Sequence, residues 1–153
     1  MRTSPLERAI QSAGFDDNDV DMATSGLCAT FALSMNAVRP DLGMALLCCA
    51  HADGSPILCE DGDPSWRHVV IVEDDRLLDI DGVVRLDHAI ENYCWGDTGS
   101  GTGCLVPISR ADLILLVHAD RKSFDARYFA RWTTMLRSSL CAPVTPDNEP
   151  AYA

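Results

Sequence analysis

The feature that most constrains the fold is a pair of apolar segments joined by a short charged one. Residues 66–72 and 77–83 are rich in Val, Ile and Leu, and the four residues 73–76, Glu-Asp-Asp-Arg, lie between them. Aliphatic runs of strand length on either side of a short polar segment are typical of two antiparallel strands and their turn. The sequence therefore predicts a β-hairpin here, with a histidine near the start of its first strand and two aspartates on its second.

Helical patterns lie on both sides of this hairpin. Residues 27–38 repeat apolar side chains at helical spacing, and residues 123–140 carry an aromatic residue or leucine at every fourth position. The other predicted elements are shorter: helices over residues 5–13, 86–93 and 110–118, with a strand over 113–117 as the alternative to the last helix, and strands over 44–50, 56–59 and 104–108. Helices, then strands, then helices indicate an α+β fold rather than repeated βαβ units.

The length of 153 residues suits one compact domain. We expect that domain to occupy residues 1–142, followed by a proline-rich and flexible C-terminal tail over residues 143–153. Residues 16–21 are rich in aspartate and are expected to form an acidic loop. The glycine-rich residues 96–103 are expected to form a mobile loop near a cleft, with a plain surface loop as the alternative.

The charge of the chain argues against two classes of partner. A formal net charge of −11 and a pI of about 4.5 disfavour non-specific binding to nucleic acid or to anionic membranes, which require a basic surface. Residues 1–8 are polar and no apolar h-region follows them, and no apolar run approaches the roughly 18 residues that span a bilayer. We therefore expect a cytoplasmic protein whose seven cysteines are reduced.

Cys28 is the cysteine with the most reactive predicted position, because it opens the helix over residues 27–38. The N-terminus of a helix presents unpaired N–H groups and a partial positive charge, which together stabilise a thiolate. The same N–H groups can hold a developing oxyanion. Gly26 would let a substrate approach, since it carries no side chain.

A base for this thiol is available on the predicted hairpin. His68 opens the first strand, and Asp79 and Asp81 share one face of the second. With residues 74 and 75 as the turn pair, position 68 lies opposite 81 and diagonal to 79, so either carboxylate could orient the imidazole. A nucleophile, a base and a group that orients the base are the parts of a thiol-dependent catalytic triad.

These residues resemble a known superfamily. The stretch Ser-Gly-Leu-Cys-Ala-Thr-Phe-Ala-Leu at residues 25–33 is similar to the Cys-bearing helix of papain-like thiol enzymes, and residues 68–72 and 77–83 resemble their His/Asp hairpin. Similar hairpins occur in the transglutaminase-like, arylamine N-acetyltransferase-like and NlpC/P60-like branches and in small bacterial and phage proteins. The resemblance implies a papain-like fold with the Cys-bearing helix on a small antiparallel sheet and helices at the C-terminus.

The resemblance also implies a function. Cys28 corresponds to the nucleophile, His68 to the base and Asp79 to the third member, with Asp81 as the alternative third member. We expect a small cysteine peptidase or deamidase, or an acyltransferase, that acts on a peptide, protein or small amide or acyl substrate without a cofactor. The glutamine that papain itself places before its cysteine is absent, which leaves Asn18, Ser25 or the backbone N–H of Cys28 as oxyanion donors.

A substrate cleft is expected beside this site. The candidates for lining a substrate cleft are Ser25, Gly26, Trp66 and Trp95.

The main chemical alternative to a thiol active site is a zinc site built from sulfur and imidazole ligands within twelve residues, namely Cys48, Cys49, His51 and Cys59. Adjacent cysteines on a strand point to opposite faces, which disfavours it. The main functional alternative is a non-catalytic protein that binds a basic partner through its acidic surface.

Overall fold

The computed structural model describes residues 3–95, 100–119 and 123–142, and these residues form a mixed α+β fold. Within them lie six helices and a five-stranded antiparallel sheet. The helices are α1 (Pro5–Ser12), α2 (Asp17–Ser25), α3 (Cys28–Val38), α4 (Leu86–Tyr93), α5 (Arg110–Ala119) and α6 (Ala126–Cys141). The strands are β1 (Gly43–Cys49), β2 (Trp66–Glu73), β3 (Arg76–Asp79), β4 (Gly82–Val84) and β5 (Gly103–Ile108).

Local signals in the sequence account for several of these helices. Ser4 caps α1 by accepting a hydrogen bond from the backbone N–H of Glu7 at 3.1 Å. Ser109 accepts one from Asp112 N–H at 3.1 Å at the start of α5, which confirms the helix there and excludes the alternative strand. Helix α3 begins at Cys28, one residue later than predicted.

The acidic loop predicted over residues 16–21 is wrong, because this segment begins α2. Asp16 is the N-cap, and Asp16 and Asp19 each accept a hydrogen bond from the other's backbone N–H, at 2.8 and 3.0 Å, which is a capping box. The carboxylate of Asp19 is buried, and it also accepts hydrogen bonds from the Arg131 guanidinium at 2.8 and 2.7 Å and from Trp132 Nε1 at 2.9 Å. Asp19, which the sequence analysis places in a solvated loop, therefore connects α2 to α6.

The sheet has the strand order β4-β3-β2-β1-β5, and all four of its pairings are antiparallel. The first strand of the predicted hairpin is confirmed as β2, but its return strand is divided into β3 and β4. The chain turns between them at residues 80 and 81, and Gly82 follows with a φ of 95°, a value that glycine adopts without strain. Residues 56–59 form only the isolated bridges of Pro56 to Ala50 and of Leu58 to Pro64, so the strand predicted there is absent.

The main core lies between the sheet and α3, whose other sides pack against the helices. Almost every residue of α3 is buried, and the inward side chains of the sheet include Leu46, Val69, Ile71 and Leu78. A smaller cluster on the opposite face places α4 over the other side of the same strands. The tail predicted over residues 143–153 and the first part of the glycine-rich loop, 96–99, lie outside the described residues.

The C-terminal helix is confirmed in its core face and corrected at its start. Tyr128, Trp132 and Leu136 of α6 contact the main core, as their spacing predicts. Phe124 precedes the helix and is exposed, because the chain becomes helical only after the N-cap Asp125. Within the described residues, no helix is both long and apolar enough to cross a membrane.

Candidate active site

The centre of the candidate site is a buried pair formed by His68 of β2 and Asp79 at the end of β3. His68 Nε2 lies 2.8 Å from Asp79 Oδ2, and the two residues are 1% and 4% exposed. The second carboxylate oxygen of Asp79, Oδ1, accepts a hydrogen bond from the backbone N–H of Asp81 at 2.8 Å. Both oxygens are therefore engaged, and the carboxylate is held in one orientation toward the imidazole.

The end of β3 explains why Asp79 rather than Asp81 meets the histidine. The last paired residues of β2 and β3 are Ile71 and Leu78, so Asp79 lies one residue beyond the end of this ladder. Asp79 remains on the face that the hairpin predicts and reaches His68 diagonally, whereas Asp81 falls in the turn and is exposed. The sequence leaves open whether Asp79 or Asp81 contacts His68, and the structure shows that Asp79 does.

Cys28 stands at the first position of α3 with its side chain almost entirely covered, at 7% exposure. The N-cap residue is Leu27, and its side chain makes no capping hydrogen bond. It therefore does not occupy the first backbone N–H groups of the helix. The thiol is near enough to the His68 imidazole to influence its protonation. His68 Nδ1 is buried and has no hydrogen-bond partner among the described residues.

The charge state of His68 follows from three opposing influences. Burial lowers its pKa, but the hydrogen bond to Asp79 and the neighbouring Cys28 outweigh burial and raise the pKa to about 9. His68 is therefore an imidazolium at neutral pH, with Nε2–H donated to Asp79 and Nδ1–H left for another partner.

Tyr93, the last residue of α4, completes the surroundings of the histidine and was missed by sequence reasoning. Its ring lies parallel to the His68 ring, with centroids 4.1 Å apart and planes 8° apart. Burial raises the pKa of the Tyr93 hydroxyl, and the nearby Asp79, Cys28 and Asp81 raise it further, so the phenol stays neutral. The available signal was its spacing of four residues from the buried Ala89, which places Tyr93 on the inner face of α4.

The residues predicted to hold an oxyanion are only partly near Cys28. Asn18 lies at the opposite end of α2 from Ser25, about 10 Å along the helix, and donates its amide to Tyr128 Oη at 2.8 Å. Ser25 donates its hydroxyl to the carbonyl of Asp21. Both side chains thus donate hydrogen bonds to other groups, and the backbone N–H groups at the start of α3 remain the third candidate.

The other predicted cleft residues occupy different surroundings. Gly26 is exposed, and a Cβ added to it would meet nothing within 4 Å, so the space beside it is open. Trp66 is half-buried and packs against the main core. Trp95 is 62% exposed and its ring lies over Gly101.

The alternative zinc site is not assembled. Cys48 belongs to the main core and Cys49 to the cluster under α4, because adjacent strand residues face opposite sides, while His51 and Cys59 are exposed. Across residues 3–95, 100–119 and 123–142, no three or more His, Cys, Asp or Glu side chains form a group that could hold a metal ion.

Comparisons with known proteins add no relative to this description. No protein-family model, no curated protein and no solved structure matches the chain.

Proposed function

We propose that this protein is a thiol-dependent hydrolase or acyltransferase that acts on an amide or acyl bond through Cys28, His68 and Asp79. The observation that carries the proposal is the buried His68–Asp79 pair at 2.8 Å with the helix-terminal Cys28 beside the same imidazole. Three groups of this chemistry at one point are what nucleophilic catalysis by a thiol requires. The resemblance to papain-like enzymes supports the same three assignments.

The proposed reaction has two half-steps. In the first, the Cys28 thiolate attacks the acyl carbon, and the N–H groups at the start of α3 receive the developing oxyanion. The His68 imidazolium gives its Nδ1 proton to the leaving amine, which departs as a thioester forms. In the second, neutral His68 takes a proton from water or from an acceptor amine, which attacks the thioester, and Cys28 leaves as thiolate. Asp79 holds the imidazole in orientation throughout.

The kind of enzyme is proposed from the same chemistry and motifs. A small cysteine peptidase or deamidase of the papain-like superfamily is the form of this activity that the motifs favour, and neither needs a cofactor. The proposed nucleophile has to remain reduced, which fits a protein of the cytoplasm.

The direct test is the reactivity of the Cys28 thiol. In a Cys59→Ser/Cys141→Ser background, which removes the exposed cysteines, iodoacetamide should label Cys28 at neutral pH faster than it labels a free cysteine peptide. His68→Ala should slow this labelling about tenfold or more, because the imidazolium that favours the thiolate is lost. Site-resolved mass spectrometry measures the rate for each cysteine.

The control for this test is His51→Ala, which removes an exposed histidine outside the site. It should leave the labelling rate of Cys28 unchanged. A Cys28 thiol that reacts no faster than the peptide, or that is indifferent to His68, would rule out the proposed ion pair and with it the catalytic assignment.

One observation favours a second candidate function. His68 is 1% exposed and Cys28 7% exposed, so the described conformation offers a substrate little access to either. A non-catalytic protein on this scaffold, binding a basic partner through its acidic surface, is consistent with that closure. It predicts that a basic peptide binds with equal affinity to wild type and to Cys28→Ala, with strong salt dependence.

A further inference from the structure

We propose that Tyr93 is the positioning residue for His68, and that its ring fixes the plane of the imidazole so that one nitrogen faces Asp79 and the other faces Cys28. The inference rests on the proposed function of the site, which it deepens by assigning a fourth residue. Tyr93 comes from α4, an element that supplies none of the three proposed catalytic groups.

The hydrogen bond to Asp79 leaves the plane of the imidazole ring undetermined. A single bond at Nε2 fixes one atom of the imidazole, but the ring can still tilt about its Cβ–Cγ bond, a torsion with a broad energy minimum. Nδ1 has no hydrogen-bond partner within the described residues, so no second hydrogen bond opposes that tilt. A parallel ring 4.1 Å from the imidazole, at 8°, opposes it directly.

The charge states of the two rings make the stack attractive. His68 is cationic at neutral pH for the reasons given above, and Tyr93 remains neutral, so the phenol presents an electron-rich face to an imidazolium. A cation over an aromatic face is stabilised, and more strongly where water is excluded. The stack therefore favours the protonated histidine as well as its orientation.

The backbone around Tyr93 is anchored firmly enough to serve this purpose. The next residue, Cys94, is fully buried in the cluster under α4, and its backbone N–H is bonded to the carbonyl of Ile90 at 2.8 Å. The carbonyl of Cys94 accepts a hydrogen bond from Gly101 N–H at 2.7 Å. The end of α4 is thus tied to the sheet side and to the following loop, and Tyr93 cannot move away without disturbing both.

The test separates positioning from simple packing by using two substitutions at one position. Tyr93→Phe keeps the ring and should keep the titration of His68 close to wild type. Tyr93→Leu keeps apolar volume but removes the ring, and should lower the pKa of His68 by about one unit. NMR of the His68 Cε1–H group across pH reports this value directly, and needs no substrate.

A functional readout and a control accompany this measurement. In the Cys59→Ser/Cys141→Ser background, Tyr93→Leu should slow labelling of Cys28 by iodoacetamide several-fold, whereas Tyr93→Phe should leave the labelling rate at the wild-type value. Tyr128→Leu, which removes a half-buried tyrosine ring that packs against the main core, should alter neither readout. Urea unfolding identifies any variant that does not fold, in which case Tyr93→Met replaces Tyr93→Leu.

Failure of the Tyr93 role and failure of the proposed function give different results. A His68 titration that is the same in wild type, Tyr93→Phe and Tyr93→Leu overturns the positioning role, whatever Cys28 does. If Cys28 of the wild type proves unreactive, the proposed function fails, while the His68 titration still decides whether Tyr93 orients the imidazole.

Discussion

At the scale of single residues, two aspartates of the same sequence neighbourhood have different environments. Asp79 is buried with both carboxylate oxygens bonded, whereas Asp81 is exposed and contributes its backbone N–H to Asp79. Partial desolvation of its carboxyl group raises the pKa of Asp81 and the charge of Asp79 raises it further, while His68 lowers it. Residue identity could not separate them, because both follow an apolar residue on one strand face. The end of the β-ladder separates them.

This difference gives a prediction for His68. Asp79→Asn should lower the pKa of His68 by at least about one unit, since the amide keeps the hydrogen-bonding shape but loses the negative charge that favours the imidazolium. Asp81→Asn keeps its backbone N–H and should have a much smaller effect. The pH titration of the His68 ring by NMR measures both.

A larger shift in Asp81→Asn than in Asp79→Asn would contradict the assignment and make Asp81 the third member. Equal shifts in both variants would mean that the two carboxylates act on the histidine only as distant charges.

At the scale of helices and strands, local signals predict elements well and their ends less well. The cap at Ser4, the apolar spacing in α3 and the aliphatic run of β2 were sufficient, because each acts within a few residues. Helix α2 was missed because its first turn is acidic and reads as solvated. Its capping box, formed by Asp16 and Asp19, is a local signal that the acidic composition concealed, whereas the burial of the Asp19 carboxylate depends on Arg131, more than a hundred residues away. Distant partners of this kind leave no trace in a local pattern.

The seat of α4 on the sheet gives a prediction at this scale. A Cβ on Gly103 of β5 would lie 2.8 Å from Ile90 Cγ1, so that one of the two must shift, and 3.2 Å from Cys94 Sγ, which is a tight contact. Gly103→Ala should therefore lower the free energy of unfolding by about 1–3 kcal/mol, as overpacking does, and displace the end of α4. Urea denaturation and the His68 NMR signal together detect both effects.

Gly43→Ala is the matched control, because a Cβ at this β1 glycine would meet nothing within 4 Å. It should change stability by less than about 1 kcal/mol in either direction. If Gly103→Ala proves as mild as Gly43→Ala, α4 is not seated as closely on β5 as these distances require.

At the scale of the whole molecule, the site depends on contacts that no single segment encodes. Cys28 begins a helix, His68 lies in the middle of the chain's sheet, and Tyr93 comes from a helix packed on the other face. The order Cys, His, Asp along the chain and the hairpin spacing made three of these residues predictable. The fourth required knowing that α4 folds back over β1 and β2. The addition of β5 beside β1 was likewise beyond the sequence pattern, because it joins segments more than fifty residues apart.

The charge on His68 makes the stability of the whole fold depend on pH. Its pKa is about 9 in the folded protein and 6.5 in an unfolded chain, so between these values the folded state holds a proton that the unfolded state has released. The stabilisation is present in full below 6.5 and is lost as the pH rises through 9. A shift of this size corresponds to about 3 kcal/mol. Because the proposed Cys28 thiolate would be charged together with His68, the test uses a Cys28→Ala background. The free energy of unfolding of Cys28→Ala, minus that of Cys28→Ala/His68→Gln, should fall from about pH 6 to about pH 9.5, by less than this amount because the part of the pKa shift that Cys28 causes is lost. Taking the difference cancels titrations that the two proteins share, including those of the unfolded cysteines. Urea unfolding at several pH values measures it, and a difference that stays constant or grows with pH would show that His68 is neutral in the folded protein.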